Sequence, residues 1–344
     1  MPAPIFKARR DAKMRARIVS DRTLVYDGPP DLRALTPGER PQHVRAGSGI
    51  AWSGEKMVLI QDDADYLALI DGAASQGGVA GMRLKSPGAA SKEKAHLNLE
   101  AVLSARDWRG EYLLAFGSGA SPAHRNIARV RLSGADTELS IFETRKFYQA
   151  LEELPEFATT TLNIEGVALV PKGVEGRDGA RLFQRANGRP RAALDISDGR
   201  ALNATVDLRL DALGAYLDRC KRDPNATFGV DLGNLRRYDL DEADEVPFTF
   251  TDASALPDGR VIYIAAAERS PEAGVKGECF GLALGVIETD GSARYTVVVE
   301  KDGAPTRRKA EGLAVRDPKS AYVVVDPESD EHPATLCSVD LTGV

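Results

Sequence analysis

The chain has 344 residues, 43% hydrophobic and 28% charged, a balance that buries a large core and leaves little room for disorder. Its 45 basic and 51 acidic residues leave a formal charge of −6, which denies nucleic acid the positive field it needs. No apolar run is long enough to span a bilayer and no secretory h-region follows the first residues, so the chain reads as cytoplasmic, with neither nucleic acid nor membrane as partner.

Residues 1–20 carry Lys7, Arg9, Arg10, Lys13, Arg15 and Arg17 against Asp11, which predicts a solvated basic arm, with docking onto an anion as the alternative. RARIVSDRTLVY (15–26) reads as a strand with no neighbour close in sequence. A cadence then recurs in SGIAWSGEKMVLIQDD (48–63), NLEAVLSARDWRGEYLLAFGSG (98–119), NIEGVALVPKGVEGRDGARLFQRANG (163–188), FTDASALPDGRVIYIAAAE (250–268) and AEGLAVRDPKSAYVVVDPES (310–329). Each opens on a small or acidic residue, runs through a short apolar strand, turns, and closes with a second strand that ends in polar residues. Further strand-like runs follow most of them: DYLALID (65–71), NIARVRL (126–132) with LSIFETR (139–145), RAALDIS (191–197), and FGLALGVIE (280–288) with RYTVVVE (294–300).

Short strands repeated in this way, set radially, are the sequence form of β-propeller blades. The expected fold class is all-β: a single β-propeller over residues 21–344, five four-stranded blades, the N-terminal strand closing the last. A sixth blade within 201–247 is the alternative. There Leu210, Leu213, Ala215 and Leu217 line one face of a short helix, and the preferred reading makes the stretch an insertion.

The motifs NLEAV, FGSGASPAHR, NIEGVAL, LFQRANG, FTDASALPDGRVIYIAAAE and AEGLAV resemble an uncharacterised bacterial β-propeller family, distantly similar to the esterase-like phytase group, over about residues 47–341. The resemblance implies a propeller whose signature polar residues lie near the central axis. It implies no particular activity.

Radial repeats bring equivalent positions to one axis. Glu100, Glu165, Asp252 and Glu311 hold early positions in four repeats, and with Asp62, Asp63 and Glu268 they predict an acidic ring at a channel mouth. Crowded carboxylates repel, so such a ring requires a hard cation, bound protons or arginine partners. Glu100, Glu165, Glu311, Asp62 and Asp63 are the expected metal ligands, with Ca2+ as the cofactor. Alternatively, each acid accepts backbone N–H groups of the next blade and fastens it. Arg125 and Arg185, beside Asn126 and Asn187, are the expected counter-charges, serving either an anionic ligand or internal ion pairs. Gly117, Ser118 and Gly119 suggest an oxyanion nest next to Arg125. Arg125, Asn126, Arg185, Asn187, Ser118, Asp252 and Glu268 form the expected ligand-binding set.

Other chemistry is poorly represented. Cys220, Cys279 and Cys337 are odd in number and far apart, which excludes a disulfide framework and a zinc knuckle. His43, His96, His124 and His332 share no metal-ligand spacing, and His124 is a conceivable general base inside the Gly/Ser loop. Asp326, Glu328 and Asp330 alternate as calcium ligands do, but Glu331 stands where the turn Gly belongs and Cys337 where the closing Glu belongs, so this is no EF-hand. Three functions remain: a propeller binding a small polar or anionic ligand, with or without a divalent cation; a metal-assisted phosphate-ester or ester hydrolase; and a protein-interaction scaffold.

Overall fold

A computed structural model describes residues 2–27, 42–72, 78–84, 97–132, 137–187, 201–269, 277–327, 329 and 331–344. The chain begins with β1 (Ile5–Lys7), β2 (Arg9–Arg10) and β3 (Arg15–Thr23). A first antiparallel meander follows as β4 (Gly47–Ser53), β5 (Lys56–Gln61), β6 (Tyr66–Asp71) and β7 (Val79–Arg83), and a second as β8 (Leu99–Asp107), β9 (Gly110–Gly117), β10 (Asn126–Arg131) and β11 (Glu138–Glu143). Helix α1 (Arg145–Glu152) leads to the third meander, β12 (Ile164–Val174), β13 (Arg177–Gln184), β14 (Asn203–Arg209), α2 (Leu210–Cys220) and β15 (Gly233–Asp239). The fourth holds β16 (Glu242–Ala243), β17 (Val246–Ala255), β18 (Val261–Arg269), β19 (Glu278–Ile287) and β20 (Ala293–Val299). The fifth holds β21 (Ala310–Asp317), β22 (Ser320–Val325) and β23 (Thr335–Thr342), with β3 as its outer strand, antiparallel to β23.

The molecule is an all-β propeller. Its first strands touch in a closed cycle, β4 to β8 to β12 to β17 to β21 and back to β4. The core is divided in the same way, with one cluster of buried side chains between each adjacent pair of meanders. This explains why strands such as β18 are buried along both faces, from Val261 to Ala267. A blade has neighbours on two sides, so its strands read as continuous apolar runs instead of alternating ones. Tight hairpins join the strands. In the β12–β13 turn Glu175 (φ 50°) and Gly176 (φ 74°) both take left-handed conformations, the twist that suits two-residue hairpins.

Two expectations change. Residues 201–247 are not an insertion: β14 pairs with β13 and β15 with β14, so 203–239 build the outer half of the third meander with α2 packed beside it, and β16 at 242–243 opens the fourth. The expected run at 191–197 lies outside the described residues. The basic arm is not solvated chain. β1 pairs with β15, β2 with β20 and β3 with β23, so the segment straps three meanders together. Ala8, Met14, Ala16 and Ile18 are buried beneath the strap and turn its charges outward. Among the described residues no helix is long and apolar enough to cross a membrane.

Candidate functional site

Each first strand carries a register shift near its start, at Gly47/Ile50, Leu99/Ala101, Ile164/Gly166, Phe250/Asp252 and Ala310/Gly312. A bulge re-aims the extra residue out of the ladder. Aligning the strands on these shifts, the re-aimed residues are Ser48, Glu100, Glu165, Thr251 and Glu311. The following positions are Gly49, Ala101, Gly166, Asp252 and Gly312, small in every repeat but one. Small residues are needed because the next blade's backbone is close: a Cβ on Gly312 would lie 2.8 Å from the Ser48 carbonyl, and one on Gly166 3.2 Å from Asp252 Cα.

Asp252 therefore lies one place past the glutamates, and its side chain acts differently. It is fully buried, with Oδ2 accepting the Leu313 N–H at 2.7 Å and Oδ1 that of Ala253 at 2.7 Å. The Ile50 N–H also bonds it. Burial holds this carboxyl well above its usual range, against the pull of those three N–H groups. Leu313 and Ile50 belong to other blades, so Asp252 ties three first strands together. Thr251 occupies the position expected of Asp252 and donates to the Ala310 carbonyl at 2.7 Å.

Glu100, Glu165 and Glu311 share one mouth with Asp62. Glu100 feels the charges of Asp62, Glu165 and Glu311, Asp62 those of Glu311 and Glu165, and Glu165 that of Glu311. Arg185, on the residue after β13, is 3% exposed and holds Glu268 by Nη2, Glu165 by Nη1 at 3.3 Å and Thr249 by Nε at 3.1 Å. Its Nη1 lies 3.9 Å from Glu311 Oε2. Lys309, two residues before a bulge, places Nζ 2.8 Å from Glu311 Oε1 and 3.4 Å from Glu268 Oε2. The corresponding positions in other repeats also serve the mouth. Asn98 donates to Glu100 at 2.9 Å and Asn163 to Glu165 at 2.6 Å. Ser118 donates to Asn98 Oδ1, and Asn187 accepts from Asn163 at 3.4 Å. Both thus hold the residues that hold the glutamates. Sequence reasoning missed Lys309 and the two asparagines; the signal available was their shared spacing, two residues before each glutamate.

Titration reflects the crowding. Burial, then repulsion from Asp63, pushes Asp62 up to about 7. Burial also lifts Glu165 to about 7, although Arg185 pulls against it. Glu100 is driven well above the ordinary range by burial and by Asp62. Glu268 goes the other way, because Arg185 and Lys309 outweigh its desolvation. Asp62, Glu100, Glu165, Glu268 and Glu311 face only Arg185 and Lys309, and the raised Asp62, Glu100 and Glu165 make up the difference with bound protons. Asp63 is partnered by Arg45 at 2.9 Å. Asp62 Oδ1 and Glu311 Oε2 are buried without a hydrogen-bond partner. Among the described residues, no three His, Cys, Asp or Glu side chains stand together as a metal-holding group.

Several expected residues lie elsewhere. Arg125 is separated from β9 by the helical turn Pro122–His124 and pairs with Glu152 of α1 at 2.6 Å, while Asn126 bonds the Ala123 carbonyl at 2.7 Å. The Gly/Ser loop is not an open nest. The Ser118, Gly119, Ala120 and His124 N–H groups are taken by the Asn98 carbonyl, the His124 carbonyl, Ser118 Oγ and the Ser121 carbonyl. His124 is half-buried, which lowers its pKa. Asp326 contributes to the field on Asp62, whereas Glu328, Asp330 and His96 lie outside the described residues. Further along the first strands lies a cavity of about 180 Å3 lined by Ile50, Trp52, Val102, Leu169, Ala253 and Val315.

The chain belongs to a family described as a family of unknown function (DUF6929), which matches residues 43–341. No curated protein matches the sequence. Solved structures similar in overall arrangement include a mannose phosphorylase from Leishmania mexicana in complex with a phosphate ion, at 13% identity and TM-score 0.45, covering 94% of this chain and 89% of that one. The glutaminyl cyclase of Myxococcus xanthus matches at 10% identity and TM-score 0.45, over 99% of both chains. A gluconolactonase of Xanthomonas campestris matches at 13% identity and TM-score 0.38, again over 99% of both. Likenesses this distant leave activity to be argued from the site.

Proposed function

We propose that this family member binds a small polar ligand at its axial mouth, and that the ligand brings positive charge to the glutamates. One observation carries the reading: Glu311 Oε2, on a side chain only 10% exposed, faces the mouth with no hydrogen-bond donor among the described residues. A buried acceptor left unpaired costs about 1–3 kcal/mol, more when charged, so a donor that enters is rewarded. Arg185 and Lys309 offer no open fork to an anion, since glutamates already hold both.

Between the two kinds of cation, an organic ammonium or guanidinium group fits better than Ca2+. Calcium takes six to eight oxygens at about 2.3–2.6 Å, whereas no three acids here stand in a metal-holding group among the described residues. An organic cation needs only single carboxylates spaced to receive separate N–H donors, which Glu100, Glu311 and Asp62 provide.

Thermal shift measurements test this with polyamines, amino sugars and guanidinium compounds in one arm, CaCl2 in a second and inorganic phosphate in a third. A ligand at a hundredfold its Kd stabilises by about 2.7 kcal/mol, a rise of a few degrees. Members of the first arm should produce this rise, and Glu311→Gln should lose it while staying folded. Stabilisation by phosphate, or no response from any organic cation, overturns the proposal; a calcium response transfers the site to the metal.

A further inference from the structure

The strap formed by residues 5–17 has a second consequence, independent of the axial mouth. It carries six cations and one acid, hence +5, within a chain of −6, so the remainder of the protein is −11. Lys7, Arg9 and Arg10 are exposed and form no ion pair among the described residues. They are held in strands, and among the described residues β1 is the terminal strand of its sheet, paired only with β15. Beside it runs a groove of about 590 Å3, walled by Ile5–Arg9 on one side and by Glu288 and Ser292–Arg294 on the other. Ile5 is 54% exposed there, while Phe6 stacks on Tyr238 with ring centroids 5.7 Å apart.

We propose that this groove is a docking strip for an extended acidic segment of a partner protein, which adds as a strand to the open edge of β1 with its carboxylates against Lys7, Arg9 and Arg10. An open edge offers a row of N–H and C=O groups to any extended chain. A line of cations keeps identical edges apart and admits a strand bearing carboxylates. Side chains of a strand alternate, so Ile5, Lys7 and Arg9 share one face, and a segment alternating acid and apolar residues sets its acids on that face beside Lys7 and Arg9. A polyphosphate backbone suits the groove less well. Glu288 and Asp11 stand beside the cations, paired to Arg294, and interrupt the run of positive charge that a uniformly charged polyanion would follow.

The test is fluorescence anisotropy with a labelled alternating Glu–Val peptide, titrated with the full chain. Binding should weaken with added salt and fall by about tenfold or more in a Lys7→Glu/Arg9→Glu/Arg10→Glu variant whose melting curve matches the wild type. A peptide of the same sequence with alternate amides N-methylated keeps the charge and loses the strand donors, and it should bind much more weakly. Equal binding of the methylated peptide, or an unaffected triple variant, refutes strand addition at this edge. Tighter binding of a DNA oligonucleotide or of anionic vesicles, lost in the same triple variant, refutes the acidic-segment assignment.

Discussion

Replacing Asp252 separates two roles that the sequence left open for the acids of the repeats. The carboxyl accepts the N–H groups of Leu313 and Ala253 at 2.7 Å each and also bonds that of Ile50. Asp252→Ala removes all of these acceptors from a site with no exposure. The Leu313 and Ile50 donors belong to neighbouring blades and lose this acceptor. At about 1–3 kcal/mol per stranded buried donor, two such donors set the loss at about 4 kcal/mol. For a chain of this size, with an unfolding entropy of about 0.7 kcal/mol/K, that is a fall in Tm of about 5–6 °C. Asp252→Asn, which keeps the shape and one acceptor, should lose about half as much. Chemical denaturation followed by circular dichroism gives the free energy, and thermal shift with the organic cation panel gives the ligand response. The fastening role predicts lost stability with the ligand response retained in whatever fraction is folded. An Asp252→Ala protein within about 1 kcal/mol of wild type that no longer responds to ligand would refute the reasoning and return Asp252 to the binding set.

Two further outcomes follow from the same geometry. Asp62 and Glu165, raised to about 7 in the folded protein, hold protons there that the unfolded chain releases, so their contribution to stability is greatest at low pH and is lost as pH rises towards and through about 7. Melting curves from about pH 5 to about pH 8 should show this decline, with a shallower slope in Asp62→Asn; a rising Tm, or equal slopes in the two proteins, contradicts it. Gly312→Ala should cost about 1–3 kcal/mol because its Cβ would stand 2.8 Å from the Ser48 carbonyl, whereas Gly214→Ala, on α2 with nothing within 4 Å, should gain up to about 1 kcal/mol by helix propensity. Urea titration of both checks the pair, and equal effects would show that blade spacing is not set by those contacts.

Much of the architecture is written locally. Paired apolar runs, turn residues between them and their repetition dictate strands that must stack radially, because each pair alone leaves two apolar faces to cover. The convergence of Glu100, Glu165 and Glu311 follows from the same repetition. A one-residue offset is not written locally, since a slip of one residue exchanges the two faces of a strand. The bulges alone decide that Thr251 matches the glutamates while Asp252 turns into the ring. Arg125 and Arg185 look alike in sequence, each following a second strand in turn-rich surroundings. Only the fold shows that the Pro122–His124 turn carries Arg125 out to Glu152, whereas Arg185 leaves β13 directly into the mouth. The basic strap misleads for a related reason. Its few apolar residues, Ala8, Met14, Ala16 and Ile18, are too sparse to announce strands, and they are buried only because blades far along the chain stand ready to cover them. Composition and period thus determine which segments are strands and that they share an axis. Which side chains reach that axis depends on bulge register and long-range pairing, which exist only once the ring has closed.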